Sequence, residues 1–412
     1  MIRHCAPALL LAVALLGITL TAPSAEAAEA ADAADAESPA PRISLLTFAP
    51  GAVYWQRFGH NALLVRDGSP GGGTVYNYGF FDFAQDNFFA NFIFGRMQYR
   101  LATDTLARTL YFYEREGRAV REQQLDLRPA QARELADFLE WNARPENAAY
   151  RYDYFLQACS TQLRDALDDV TDGALQVLKE RPARLTLREQ VLRLTAPDLP
   201  VMLGLDLILG PAADLPRTRW EEAFVPEVLE AALRDVELPA TEGAAARPLV
   251  AAERVLVARD DARAAAVPPD DPPHLAGWFL LAGLLWSALL LLAHRHARPL
   301  WAMLGGLQIL LAGAAGLIMV FITVATAHWA GWYSLSMAFY NPLAWLAFPA
   351  LWVAARGRTP AAWQGFFMLL LPAVALLGAL GPIWQENLHH LLFWLPVHAV
   401  LAWSALRLPD TR

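Results

Sequence analysis

The exported part of the sequence offers one cysteine and one histidine that could act together. His60 lies in QRFGHNALLV, residues 56–65, and Cys159 begins the segment CSTQLRDALDDV. A cysteine attacks as its thiolate, and a neighbouring histidine is the usual base that forms the thiolate. The two residue types therefore predict nucleophilic thiol chemistry, provided that the fold brings them together.

The other cysteine and the other histidines are excluded by their positions. Cys5 and His4 precede an apolar core in residues 1–27, which has the pattern of a cleavable signal peptide, and the remaining histidines all follow residue 273. Outside the cytoplasm paired cysteines become disulfides, but Cys159 has no partner there. It is therefore either buried and inert or kept for its reactivity, and His60 on its own could equally be structural.

Strands and helices must bring the two residues together. Short apolar or alternating runs between residues 42 and 83, separated by glycine and proline, predict strands, with GSPGGG at 68–73 as a hairpin loop. Apolar residues three and four apart predict a helix within 128–147 and another that begins at or just after Cys159. A helix start lowers a thiol pKa and offers free N–H groups to an oxyanion.

The composition requires a membrane portion. The chain has 412 residues, of which 56% are hydrophobic and 18% charged. Five apolar segments long enough or nearly long enough to span a bilayer follow a proline-rich linker, near 275–293, 300–327, 335–355, 361–382 and 388–406. Arginines flank them in HRHARP, ARGRTP and RLPDTR, which places those ends in the cytoplasm and the exported domain outside.

These patterns divide the chain into five parts. We predict a signal peptide at 1–27, a disordered linker at 28–41, an exported catalytic domain at 42–265, a proline-rich linker at 266–274 and a five-helix transmembrane domain at 275–407. Within the exported domain, residues 171–240 look mostly helical, and PLVAAERVLVARD returns as a strand or an extended arm.

Two classes of function are disfavoured by the sequence. The net charge of −8 argues against a nucleic-acid partner, which would call for a basic surface. Phosphate-binding glycine loops and the usual zinc motifs are missing from the sequence, so neither a cofactor nor a metal is expected.

Several segments resemble one known family. FGHNALLV, VYNYGFFDF, YRYDYFLQACSTQLRDAL and LGLDLILGPAADLP, followed by a helical membrane domain, are similar to the bacterial lipoprotein N-acyltransferase Lnb and its relatives. The resemblance implies that His60 and Cys159 are catalytic. It also implies transfer of a fatty acyl chain, within a diacylglyceryl lipoprotein, from glycerol to the N-terminal amine, which gives a lyso-lipoprotein. The family usually has asparagine where this chain has Ala158.

The same resemblance gives expectations for fold and location. The order of histidine before cysteine is similar to the circularly permuted NlpC-type papain-like fold of acyltransferases that take acyl chains from phospholipids. We therefore expect an α+β papain-like exported domain with helical additions, followed by an all-α five-helix transmembrane domain. The protein would be multi-pass in the bacterial inner membrane, with its exported domain in the periplasm and with lipoproteins or phospholipid as partners.

The remaining site residues are candidates of lower rank. Asn61, Asn77, Asp82 and Asp153 could orient the histidine, and Asn77 is preferred because its strand could run beside that of His60. Residues predicted to contact substrate are Asn61, Tyr78, Asp82, Gln157, Ser160, Glu386 and His389. The last two lie in an outer loop that could receive a lipid headgroup or a lipoprotein N-terminus, although ordinary interfacial polar residues would look the same.

Two other functions remain open from the sequence. An NlpC-type cysteine peptidase or amidase of the cell envelope would use the same residue pair, but in an open polar groove. A membrane-anchored binding or scaffold module would keep Cys159 merely buried. The aromatic residues between 76 and 94 could belong to a core, line an acyl channel or enter the membrane interface.

Overall fold

The computed structural model describes residues 40–66, 68, 72–240, 245–380 and 385–407. The predicted signal peptide and nearly all of the linker at 28–41 lie outside the described residues. Residues Pro41–Arg412 form one unit, which contains both the mixed α/β part and the helical part.

A seven-stranded antiparallel sheet forms the centre of the α/β part. Its spatial order is β6-β4-β3-β2-β1-β5-β9, and a separate two-stranded sheet pairs β7 with β8. The strands are β1 (Arg42–Phe48), β2 (His60–Arg66), β3 (Thr74–Phe80), β4 (Gln98–Thr105), β5 (Val120–Leu125), β6 (Ala149–Arg151), β7 (Glu237–Leu238), β8 (Arg247–Pro248) and β9 (Val250–Val257). The predicted return of residues 248–260 as a strand is β9.

The central strands are apolar on both faces because both faces of the sheet are covered. Along β2, Leu63 and Val65 join the larger apolar cluster, whereas Ala62 and Leu64 join a second cluster on the opposite face. This explains the continuous apolar run after His60, since a strand buried on two sides loses the alternation of a half-exposed one.

Eight α-helices of the described residues belong to the α/β part, and several of them pack against the sheet. They are α1 (Phe88–Ile93), α2 (Leu106–Arg115), α3 (Pro129–Asn142), α4 (Cys159–Val170), α5 (Leu187–Thr195), α6 (Leu199–Ile208), α7 (Arg219–Glu222) and α8 (Pro226–Leu233). The larger apolar cluster joins the inner faces of α3, α4, α5 and α8 to the sheet. The predicted helices within 128–147 and at Cys159 are α3 and α4.

The helical part follows residue 275. Its α-helices are α9 (Ala276–His296), α10 (Arg298–Ala325), α11 (Phe348–Ala355), α12 (Ala362–Leu380) and α13 (Leu388–Leu406). By length and composition, four segments of the described chain could span a membrane, namely Ala276–His296, Arg298–Ala325, Trp329–Ala355 and Leu388–Leu406. Within α12, the apolar stretch Ala362–Leu377 is shorter than these four, so the predicted fifth span stays a prediction.

The third apolar segment differs from the regular helix expected over 335–355. Only Phe348–Ala355 is α-helical, and short 3₁₀ helices occupy most of the preceding residues. Asn341 accepts a hydrogen bond from the Leu343 N–H, and Pro342 begins a new 3₁₀ turn. Because proline restricts the residue before it and lacks an N–H, this pair interrupts a helix that the apolar composition alone would predict.

Candidate active site

Cys159 is the first residue of α4, where the helix N–H groups are least satisfied. The preceding Ala158 is extended, with φ −92° and ψ 174°, and caps the helix with no side chain. The hydroxyl of Thr161 accepts from the Ala158 N–H at 2.8 Å and donates to the Ala158 carbonyl at 3.0 Å, which fixes the entry of the chain. An alanine cap leaves the N–H groups of the first turn free for an anionic ligand.

His60 begins β2 and faces Asn77 of β3. Its Nε2 lies 3.3 Å from Asn77 Oδ1, while the Asn77 amide nitrogen donates to the Val75 carbonyl at 3.4 Å. An amide oxygen only accepts, so this contact assigns the proton to Nε2 and leaves the lone pair on Nδ1. Asn77 thus selects the tautomer that a general base needs.

A bulge in β3 places Asn77 and opens the space beside the cysteine. The pairing of β3 with β4 shifts register between Asn77 and Phe80, and Gly79 there has φ +90°. A Cβ at Gly79 would lie 3.8 Å from Cys159 Cβ and 3.8 Å from Tyr152 Cε2. Bulges commonly redirect side chains next to active sites, and the positive φ favours glycine at this one.

The electrostatics of Cys159 favour the thiolate. Burial alone would raise the pKa of this thiol, but the charge and hydrogen bond of His60, the backbone N–H of Asn61 and the hydroxyl of Ser160 together lower the pKa to about 7. The cysteine side chain is still partly exposed. A partly exposed thiol that ionises near neutrality is typical of a reactive cysteine.

Asn61 and Ser160 fasten the helix start to the strand. Ser160 Oγ donates to Asn61 Oδ1 at 2.8 Å, and the Asn61 amide donates to Thr47 Oγ1 at 2.9 Å and to the Leu46 carbonyl at 3.3 Å. Asn61 and Ser160 are both fully buried. They therefore position the neighbouring His60 and Cys159. Asn61 and Ser160 were predicted to contact substrate, but their buried side chains are not available to one.

Asp153 lies in the turn before the cysteine and does not face His60. One of its carboxylate oxygens accepts from the N–H groups of Phe155 and Leu156, at 2.9 and 3.0 Å. The other accepts from the indole N–H of Trp329 at 2.8 Å. Because Trp329 belongs to the segment after α10, this bond fixes the cysteine loop against the helical part of the protein.

Three other predicted residues lie apart from the pair. Asp82 is exposed and accepts from the Ala84 N–H at 2.8 Å, as a turn residue does. The Tyr78 hydroxyl is buried and donates to Asn142 of α3. Gln157 is exposed and accepts a hydrogen bond from Gln162. All three are thus engaged in local hydrogen bonds, and Gln157 is the one of them that lies next to the cysteine helix.

The outer-loop residues have separate roles. Glu386 is exposed, whereas His389 Nε2 contacts Asp206 Oδ2 at 2.6 Å. His390 Nε2 lies 3.2 Å from the same oxygen. Burial would raise the pKa of Asp206, but the bonds to the two imidazoles hold it well below its usual range. His389 therefore joins α13 to α6 and is already paired without a substrate.

The Asp206, His389 and His390 side chains are also the group that could hold a metal ion among the described residues, since their ligand atoms lie within 4.8 Å of one another. Arg188 occupies the other oxygen of Asp206 at 2.9 Å and binds Asp214 at 2.7 Å. The two carboxylates share this guanidinium, and both imidazoles contact Asp206. We therefore interpret the group as an ion-pair cluster.

One family model matches the N-terminal part of the chain. Residues 28–193, which contain His60, Asn77 and Cys159, match the family model of the Lnb N-terminal periplasmic domain. This part of the chain is Lnb-like. The comparison with curated proteins found no match, and the comparison with solved structures found none either. The family match and the four apolar spans make this Lnb-like chain a membrane protein with an extracytoplasmic domain.

Sequence reasoning missed three residues that shape the site. Trp329 lies between two predicted apolar segments, and its bond to Asp153 depends on tertiary structure alone. Arg188 gave no signal among the many arginines of residues 171–240. Gly79 had a usable one, since a glycine inside a strand pattern indicates a bulge or a close approach.

Proposed function

We propose that the Lnb-like chain is a cysteine acyltransferase that moves a fatty acyl chain from a glycerol ester to an amine through a Cys159 thioester. The observation that carries the proposal is the arrangement of Cys159 at the start of α4 with His60 held by Asn77 at 3.3 Å. A nucleophile, a base and a residue that orients the base are the three parts such a site needs.

The reaction divides into two balanced halves. His60 Nδ1 takes the thiol proton, the sulfur attacks the ester carbonyl carbon, and the glycerol oxygen leaves with the proton that His60 returns. The amine then attacks the thioester, His60 takes the amine proton, and the sulfur leaves to regain that proton. The products are a lyso-glyceride and an amide, with no oxidant, reductant or metal consumed.

The first turn of α4 would stabilise both tetrahedral intermediates. Its N–H groups have no side-chain cap from Ala158, and a donor aimed at the developing oxyanion contributes about 3 kcal/mol in well-studied sites. The Asn61 N–H already favours the thiolate and would hold the nucleophile before attack.

Attachment to the membrane supports a lipid substrate. The Trp329–Asp153 bond fixes the cysteine loop beside the segment that follows α10, a candidate span. We propose that the protein is a multi-pass inner-membrane protein with five spans. We also propose that α4 on the antiparallel sheet is a permuted papain-like arrangement. A site held at the bilayer surface meets ester substrates at high effective concentration.

The amine acceptor that we propose is the N-terminal cysteine of a diacylglyceryl lipoprotein. Mass spectrometry of a lipoprotein N-terminus should show the acyl rearrangement with the wild-type chain and its loss with Cys159→Ala and with His60→Ala. A hydroxylamine-sensitive acyl adduct on Cys159 should accumulate when the amine is withheld. Unchanged lipid forms in all three proteins would overturn the proposal, and cleavage of cell-wall peptides instead would favour the peptidase.

A further inference from the structure

A short aromatic surface stands out from the rest of the α/β part. Residues 87–95, NFFANFIFG, contain no charged side chain. We call the exposed apolar residues in and beside α1 the aromatic ridge, which comprises Trp55, Phe83, Phe89, Phe92, Ile93 and Phe94. Phe89 alone is 67% exposed. A contiguous apolar patch of this kind marks an interaction site.

The ridge is attached to the end of a candidate membrane span. The Ala327 N–H donates to the Phe94 carbonyl at 2.9 Å, and the His328 ring contacts the Phe92 carbonyl at 3.0 Å. The Phe94 ring packs on Phe321 of α10, with centroids 5.8 Å apart. The exposed rings therefore continue the apolar surface of α10 at the point where that helix ends.

Two arginines border the ridge in the manner of residues at a lipid headgroup layer. Arg96 lies over the Phe94 ring at 5.9 Å, and Arg100 lies over the Phe80 ring at 5.0 Å. Both arginines are exposed. Long cationic side chains that cover apolar surface and keep the charge outside match the boundary between acyl chains and phosphates.

A continuous row of rings leads from the ridge toward the thiol. Phe88 packs against Phe81 at 5.9 Å, Phe81 stacks on Tyr99 at 5.1 Å, and Tyr99 contacts Tyr152 at 4.3 Å. Tyr152 and Cys159 both lie beside Gly79, each 3.8 Å from where its Cβ would be. Phe88 and Tyr99 are buried, so the ridge and the thiol lie at two ends of one packed aromatic cluster.

We propose that the aromatic ridge is inserted in the outer leaflet of the lipid bilayer and is the surface along which an acyl chain leaves the leaflet toward Cys159. The insertion in the leaflet follows from the contacts with α10 alone. The path of the acyl chain to Cys159 rests on the proposed function. The occupant is phospholipid acyl chain, since the exposed rings continue a membrane span and carry cations only at their border.

Depth measurements on the full chain test the insertion. A fluorophore on Phe89→Cys is compared with one on Phe112→Cys, both in a Cys159→Ala background reconstituted in phosphatidylcholine vesicles with brominated acyl chains. Phe112 is the matched control, because it is 53% exposed on α2. We expect quenching at position 89 to exceed that at 112 by at least about two-fold. Equal quenching at the two positions would overturn the insertion, as would protection of position 89 by a protein partner.

Adduct formation tests the path of the acyl chain. With Cys159 intact, Phe89→Asp should reduce the thioester formed from vesicle phospholipid by about ten-fold and leave acylation by a water-soluble activated ester unchanged. Phe112→Asp should affect neither. An undiminished adduct in Phe89→Asp would refute the path while leaving the insertion standing. Failure of the wild-type chain to form any adduct would refute the proposed function. The quenching result would still stand, because it does not depend on adduct formation.

Discussion

Two polar clusters of this protein contain histidine beside other ionisable groups, and they differ in how completely those groups are satisfied. In the cluster around Arg188, the guanidinium bonds both Asp206 and Asp214 and also donates to the backbone carbonyl of Leu209 at 2.8 Å. At the candidate active site, Cys159 stays partly exposed at a helix start that no side chain caps.

This contrast separates structural from chemical roles among residues of the same type. The buried charges of the Arg188 cluster have already found their partners, so any reaction there would first have to break an ion pair. His60 has one nitrogen committed to Asn77, and its other nitrogen remains available to a proton. Residue type and loop position alone made His389 look like a substrate contact, whereas its bond to Asp206 makes it structural.

Removing the nucleophile or the base should give the largest effect. Cys159→Ala and His60→Ala are each expected to reduce acyl transfer by about 10³-fold or more, and the double variant should lose hardly more, because the two residues act as a unit. Rates are measured on a lipoprotein substrate per folded molecule. His389→Gln is the control from the other cluster, and its rate per folded molecule should remain near that of the wild type.

Removing the buried cation should affect stability rather than chemistry. Arg188→Met leaves Asp206 and Asp214 buried without a counter-charge, and we expect a loss of about 3–5 kcal/mol in the free energy of unfolding. Thermal unfolding in detergent measures it. The matched control is Arg184→Met, whose ion pair with Asp271 is exposed on both sides, with an expected change below about 1 kcal/mol. Equal melting temperatures for the two variants would contradict the assignment of the Arg188 cluster.

The comparison also explains what the sequence could predict. Periodicity was sufficient for the helix at Cys159 and the strand at His60, since local patterns determine both elements. The Asn77 contact followed from the expectation that neighbouring strands pair. The Asp153–Trp329 bond joins residues 176 positions apart, and no local pattern encodes it. The third apolar segment is confirmed as a candidate span, but composition did not reveal the 3₁₀ turns that Asn341 and Pro342 introduce.

The pH dependence of thiol alkylation should distinguish a reactive cysteine from an inert one. The pKa of Cys159 is lowered to about 7, chiefly by His60 acting against burial, so the thiolate fraction and the alkylation rate should rise through that pH. His60→Ala removes the lowering contribution and should move the midpoint upward by at least about one unit, which is ten-fold in rate at pH 6. Iodoacetamide labelling of the wild type and the variant measures both midpoints, and coincident curves would show that His60 does not act on the thiol.

The smallest effect should come from the bond that links the two catalytic elements. Ser160→Ala removes the donor to Asn61 Oδ1 and leaves that oxygen buried without its partner, at a cost of about 1 kcal/mol in the free energy of unfolding. Ser404→Ala is the matched control, because Ser404 is equally buried but bonds only the Val400 carbonyl of its own helix. If Ser160 also positions the thiol, then its removal should change the alkylation midpoint of Cys159, which a loss of stability alone would not change. The alkylation midpoint of Cys159 should rise in Ser160→Ala, since the helix start is no longer held against His60 and the hydroxyl that itself lowers the thiol pKa is lost. It should stay unchanged in Ser404→Ala. If both variants keep the wild-type midpoint, then Ser160 stabilises the fold without positioning the thiol.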